Sequence, residues 1–130
     1  MAINTRVFTD IDLNFRPHPL TGDIVKRVND SAIKASVRNL VLTNNYERPF
    51  HSDIGAPLRR MLFELPSPLT KSMIEKTITD LINTYEPRVV LTQVQVTYSH
   101  DTYEVYVRIE YKIVNTSTQQ TVEVTLERTR

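Results

Sequence analysis

The sequence predicts an α+β domain: three helices packed on one face of a C-terminal three-stranded antiparallel sheet, preceded by an extended N-terminal segment. Two observations predict it. Apolar residues recur at helical spacing in three stretches between residues 30 and 85, and from residue 89 the period switches to two. The helical stripes and the apolar face of the sheet would then cover each other. The 130 residues suit one domain over 1–130, divided into an N-terminal segment 1–29, a helical part 30–85 and a β-meander 89–128.

Residues 1–29 read as extended and irregular. Val7, Ile11, Leu13 and Phe15 are scattered among polar residues, and Arg16-Pro17-His18-Pro19 cannot be helical throughout. Thr21-Gly22-Asp23 reads as a turn, with a short strand at Ile24–Val28. The first helix spans Ser31 to Leu42. Ile33, Val37, Leu40 and Val41 share one face, and Asp30 serves as N-cap. Tyr46 to Asp53 is a loop. A second helix follows from Ile54 to Leu65, with Leu58, Met61, Leu62 and Leu65 as its stripe. The third, capped by Thr70, runs to Tyr85 with Ile74, Ile78, Leu81, Ile82 and Tyr85 on one face. Pro87 stops it, because a residue before proline avoids the α region.

In the meander, Val90, Val94, Val96 and Tyr98 share a face of the first strand. Ser99-His100-Asp101-Thr102 is a hairpin turn. Tyr103, Val105, Val107, Ile109, Tyr111 and Ile113 share a face of the second strand. Asn115 to Gln120 is a polar turn, and Val122, Val124 and Leu126 are the apolar side of the last strand. The meander has open edges, whose unpaired N–H and C=O groups can accept a strand from another chain. The edge at Val122–Leu126 lies beside Glu127-Arg128-Thr129-Arg130, whose charges protect that edge or flank a docking strand.

Composition narrows the function classes. A net charge of +1 supplies no field that would steer the chain to nucleic acid or a membrane. No apolar run nears the ~20 residues of a membrane span. Met1 to Asp12 lacks the features of a secretory signal, so the chain is expected to stay in the cytoplasm where it is made. Cysteine is absent, so disulfides and cysteine-ligated zinc are excluded. With two glycines, Gly22 and Gly55, there is no glycine-rich phosphate loop. His18, His51 and His100 are widely spaced loop residues, so neither metal nor cofactor is expected. Glu47 and Glu86 are the one pair that could act as a glycosidase acid and base. Arg48 and Arg88 stand beside them, and a neighbouring cation lowers a carboxylate pKa, which opposes the acid role.

Glu86-Pro87-Arg88 marks the joint between helix and sheet. Residues i and i+2 of an extended segment point the same way, so Glu86 and Arg88 can share a partner or pair with each other. The tripeptide is therefore either an internal clasp or a docking point.

The order of motifs is more telling than any one of them. Phe8-Thr9-Asp10-Ile11-Asp12 and Thr21-Gly22-Asp23-Ile24 are followed by Ala32-Ile33 to Leu40, Leu42-Thr43 and Tyr46-Glu47-Arg48-Pro49-Phe50. Gly55, Leu62-Phe63-Glu64, Pro68-Leu69-Thr70 and Tyr85-Glu86-Pro87-Arg88 complete the series. Over essentially the whole chain this resembles the baseplate wedge and sheath-initiator family of contractile-tailed bacteriophages. That family includes a T-even tail protein once labelled lysozyme-like and has relatives in type VI secretion systems. Many members carry glycine immediately before the Glu-Arg, where this chain has Tyr46, and Phe-Gly where it has Ile54-Gly55.

The resemblance implies a non-catalytic protein, present in multiple copies in the symmetric baseplate of a virion tail. Glu86, Pro87 and Arg88, with Glu47 and Arg48, would dock onto other wedge and inner-baseplate proteins near the end of the tail tube. Val122, Val124 and Leu126 would carry strand pairing with the tail sheath protein, starting sheath polymerisation. The alternatives are the equivalent component of a type VI or related contractile injection system and, in another class, a peptidoglycan-degrading glycoside hydrolase.

Overall fold

The computed structural model describes residues 8–99, 101, 104–114 and 119–127. Val7, His100, Thr102 and Tyr103, residues 115–118 and the basic end 128–130 lie outside the described residues. The elements run β1 (Thr9–Ile11), β2 (Lys26–Val28), α1 (Asp30–Leu42), α2 (Leu58–Met61), α3 (Pro68–Tyr85), β3 (Val89–Tyr98), β4 (Glu104–Ile113) and β5 (Gln119–Glu127). The C-terminal sheet has the order β3-β4-β5, antiparallel throughout.

The N-terminal segment is not wholly irregular. β1 and β2 pair antiparallel as a small hairpin, with Asp10 opposite Arg27. Asp12 anchors it. Its carboxylate accepts bonds from the Asn14 backbone and pairs with Arg27 at 3.0 Å. The Asn14 backbone bond, with Arg27, holds this carboxyl below its ordinary value despite desolvation.

Two helix starts differ from expectation. α1 begins at Asp30, with Asn29 in the cap position and no side-chain cap. Asn29 instead bonds Phe8 through both backbone and side chain, extending the hairpin. Asp30 lies in the first turn, where its charge suits the helix dipole. α3 is capped by Ser67, whose hydroxyl accepts the Thr70 N–H, with Pro68 in the first turn. Thr70 is thus inside the helix and donates to the Leu65 carbonyl.

α2 is a single turn rather than the twelve-residue helix expected. Gly55 at φ 123° lies outside helical space, and a Cβ there would meet Thr43 O at 2.7 Å. The chain therefore passes close to the end of α1 before Leu58 can start a helix.

β4 and β5 alternate as expected: Val105, Val107, Ile109, Tyr111, Ile113, Val122, Val124 and Leu126 are buried. In β3 the alternation breaks. Leu91 pairs with Tyr111 and Gln93 with Glu110, leaving Thr92 as an extra residue. Before this bulge Val89 and Leu91 face the core and Val90 is exposed. After it Val94, Val96 and Tyr98 face inward. Val90 is therefore not on the face expected of it.

The inward residues of all three strands join Ile33, Val37, Val41, Leu58, Met61, Leu62, Ile74, Ile78, Leu81 and Ile82 in one core. α3 lies along β3, α1 reaches β5, and α2 packs on α3. No helix among the described residues is long and apolar enough to cross a membrane.

Candidate docking site

The joint after α3 is held by side chains. Glu86 is the C-cap, and its N–H still donates to Ile82 O. Its carboxylate is 3% exposed. Arg88 donates to it twice, Nε to Oε1 at 2.5 Å and Nη2 to Oε2 at 2.7 Å. Ser36 of α1 donates to Oε2 at 2.6 Å. Burial alone would raise the Glu86 pKa; the hydrogen bonds from Arg88 and Ser36 and the Arg88 charge outweigh it and hold it below the ordinary value. The mutual pair is thus formed.

Arg88 also reaches the N-terminal hairpin. Its guanidinium lies 3.6 Å from Asp10 and 5.5 Å from the centre of the Phe8 ring. Its backbone carbonyl accepts the Val114 N–H at the end of β4. One residue therefore links the hairpin, the end of α3 and the sheet. Pro87 is exposed. What the tripeptide offers outward is Pro87 and the open side of Arg88; Glu86 positions that arginine from beneath.

The Glu47-Arg48 loop divides in two directions. The exposed Glu47 carboxylate turns back along the chain to accept the Asn44 N–H at 2.8 Å. Arg48 faces a groove of about 410 Å³ between β1 and α1, whose other walls include Asp10, Ile11, Ser36 and Tyr85. Arg48 thus shares one depression with Ser36 and Asp10, the partners of the Glu86–Arg88 clasp. Tyr85 fastens the loop by donating to Asp53 O at 3.0 Å. Neither Glu47 nor Glu86 lines this groove, and both carboxylates are held by donors. That arrangement does not suit an acid–base pair. Among the described residues no group of His, Asp and Glu could hold a metal ion.

The sheet has two edges, and they differ. The Ser99 N–H donates to Glu104 O, which sets the phase of the β3–β4 ladder. By that phase the backbone groups of Val94, Val96 and Tyr98 point away from β4. The Val96 N–H is taken by Glu75 of α3 at 3.2 Å. The β3 edge is therefore bulged, flanked by a helix and partly bonded. On the other side, Gln120, Val122, Val124 and Leu126 turn their backbone groups to β4, and those of Thr121, Glu123 and Thr125 point outward. No described strand pairs with this outer edge. Val122, Val124 and Leu126 hold β5 in the sheet; the edge itself is offered by the residues between them.

Comparison with known proteins assigns the family. The model of baseplate wedge protein gp25 matches residues 27–118. The chain belongs to the baseplate wedge protein gp25 family. Baseplate wedge protein gp25 of Enterobacteria phage T4 is 29% identical over 115 residues, covering 88% of this chain and 86% of that protein. The fold recurs in solved structures. The anti-feeding prophage baseplate contains a chain with a TM-score of 0.67 at 18% identity, covering 95% of this chain and 88% of that one. The pyocin R2 baseplate, in its postcontracted state, contains another at 0.59 and 18%, covering 92% and 98%. A Geobacter sulfurreducens protein described as a candidate tail lysozyme superposes at 0.69 with 22% identity, covering 75% and 89%.

The gp25-family loop carries local strain in this chain. Tyr46 adopts φ 67°, the left-handed region that glycine takes freely. This is the position at which the sequence resemblance implies glycine in related chains. Phe50 adopts the same φ. Sequence reasoning did not find Ser36 on Glu86, Asp10 and Phe8 beside Arg88, nor Glu75 at the β3 edge. All four act across long sequence separations, where spacing carries no signal.

Proposed function

We propose that this gp25-family chain is a non-catalytic component of a contractile-tail baseplate that starts the sheath by lending it the outer edge of β5. The observation that carries the reading is the asymmetry of the sheet. One edge is bulged and bonded by Glu75; the other presents a row at Thr121, Glu123 and Thr125 that no described strand pairs. A sheath segment added there would gain main-chain hydrogen bonds for registration and side-chain alternation for specificity. Pro87, Arg88 and Arg48 would seat the chain on neighbouring wedge and inner-baseplate proteins close to the tube. Repetition around a symmetric baseplate would turn modest contacts into firm attachment. An injection device rather than a phage tail would use the same surfaces, since the fold is shared with the anti-feeding prophage and pyocin R2 baseplates.

The glycosidase alternative draws nothing from the site. Glu86 is buried beneath Arg88 with a lowered pKa, whereas a general acid needs a raised one.

Thr125→Pro tests the reading. It removes one outward N–H from an edge strand, where proline is tolerated. Tails assembled with this variant and viewed by electron microscopy should show baseplates that lack sheath. Fully sheathed tails would overturn the proposal.

A further inference from the structure

The Glu75 carboxylate holds a position that a strand added to the β3 edge would need. Glu75 follows the buried Ile74 on α3, and its side chain is 31% exposed. From the rim of the core its Oε1 accepts the Val96 N–H at 3.2 Å. Val96 is the middle one of three β3 residues whose backbone groups point away from β4; the others are Val94 and Tyr98. Lys71, one turn earlier on α3, lies 4.0 Å from the same oxygen. Negative charge also gathers at the Tyr98 end of the edge. The Tyr98 hydroxyl is held above its ordinary pKa, first by burial and then by the charges of Glu64 and Glu75. Toward the start of the strand the Thr92 bulge breaks the ladder, so one register does not extend past it. β5 shows the opposite arrangement. The Glu123 carboxylate pairs at 3.1 Å with Arg108, its cross-strand partner on β4, rather than with the outward backbone groups.

We infer that Glu75 determines where a strand can join this sheet: it closes the β3 edge and leaves β5 as the acceptor. That β5 is the acceptor rests on the reading that the sheath starts there; closure of β3 stands apart from it. A strand arriving at β3 must bring a carbonyl to the Val96 N–H, where the carboxylate already sits. To bond there it displaces a charge-assisted hydrogen bond, which is about twice as strong as a neutral one. The released carboxylate would then face the newcomer's carbonyl oxygens, and neither group can donate to the other. One blocked position matters because the row is short. Val94, Val96 and Tyr98 are all that the bulge leaves in one register. Charges and bulges at an edge are devices that keep strands from pairing edge to edge, and β3 carries both.

The test uses a synthetic peptide of alternating threonine and valine, added to the full-length protein and to its Glu75→Ala and Glu75→Gln variants. Amide shifts at Thr121, Glu123 and Thr125 report β5, and those at Val94, Val96 and Tyr98 report β3. Alanine is the strongest helix former and the site is part-exposed, so α3 should persist in the first variant. The parent should show β5 shifts alone. Glu75→Ala should add β3 shifts, with binding there about tenfold tighter than the parent allows. Glu75→Gln keeps an acceptor for the Val96 N–H and should stay close to the parent; β3 shifts equal to those of Glu75→Ala would overturn the proposal. Without peptide, the Val96 amide should exchange with solvent about tenfold faster in Glu75→Ala than in the parent. An equal rate would show that the bond does not hold the edge and would overturn the closure. β3 shifts in the parent would do the same. β5 shifts alone in every form would overturn the closure and leave strand addition at β5 standing. β3 shifts in Glu75→Ala, with none at β5 in any form, would uphold the closure and overturn β5 as acceptor. If no form shifts either row, both fall.

Discussion

Removing the Glu86 carboxylate would leave Arg88 with only Asp10 at 3.6 Å and Phe8, and Ser36 without its acceptor. A partly buried guanidinium that loses a bidentate partner is costly, so Glu86→Ala should lower stability by about 2–3 kcal/mol. Urea denaturation of the purified chain checks this, and an unchanged midpoint would show that the clasp is not stabilising. A plain helix stop with solvated charges predicts no such loss. Arg88→Ala is the sharper probe of docking, because it removes the outward-facing member of the pair. Tyr46 offers a contrast. It is 84% exposed at φ 67°, so it has little packing to lose and a strained backbone to relieve. Tyr46→Gly should leave stability unchanged or raise it by up to about 1 kcal/mol. Gly55→Ala runs the other way. The new Cβ would meet Thr43 O at 2.7 Å at a φ that L residues rarely adopt, costing about 3 kcal/mol in the same assay.

At the scale of elements, the two prolines that could test β5 have opposite consequences. Val124→Pro removes an N–H bonded to β4 and should unfold the sheet; Thr125→Pro removes one that faces outward and should not. Circular dichroism of the two variants separates them, and equal loss of structure would contradict the register. The same strands show what a sequence can disclose. The faces of β4 and β5 were legible because strict alternation leaves one assignment for each side chain. Val90 was misplaced because the Thr92 bulge shifts the parity of β3, and nothing in Val89–Tyr98 marks where an extra residue is absorbed. α2 was overdrawn because Leu58, Met61, Leu62 and Leu65 keep helical spacing while Gly55 and Pro57 delay the helix start. β2 falls within the strand expected at Ile24–Val28, but its partner β1 was missed, since a three-residue strand is too short to display a period. Of the candidate site, the pairing of Glu86 with Arg88 was open to reading from their i, i+2 spacing. Ser36 and Asp10 were not, because contacts across 50 and 78 positions depend on tertiary packing.

Across the whole molecule, two carboxylates with lowered pKa values lie along one line of attachment. Asp12 ties the hairpin together through Arg27, and Glu86 fixes the arginine that joins that hairpin to the sheet. Each has a folded pKa below its ordinary value, 3.8 for Asp12 and 4.5 for Glu86. The folded state therefore holds its negative charges more readily than the unfolded chain does. Their contribution to stability is fully present above the ordinary values and is lost as pH falls through the lowered folded ones. Stability should be nearly level from pH 7 to about 5 as far as these groups are concerned, then decline in acid. The decline should involve the hairpin as well as the sheet, because Arg88 loses its grip on Glu86 while Asp12 loses Arg27. Urea midpoints measured between pH 7 and 3 would follow it, with hydrogen exchange at β1 and β2 reporting the hairpin. Glu86→Gln together with Asp12→Asn should be less stable at pH 7 and show a flatter acid slope, converging on the parent chain at low pH. A double variant with the parent's full slope would place the acid sensitivity in other carboxylates and remove the clasp from the account of what holds the two parts together.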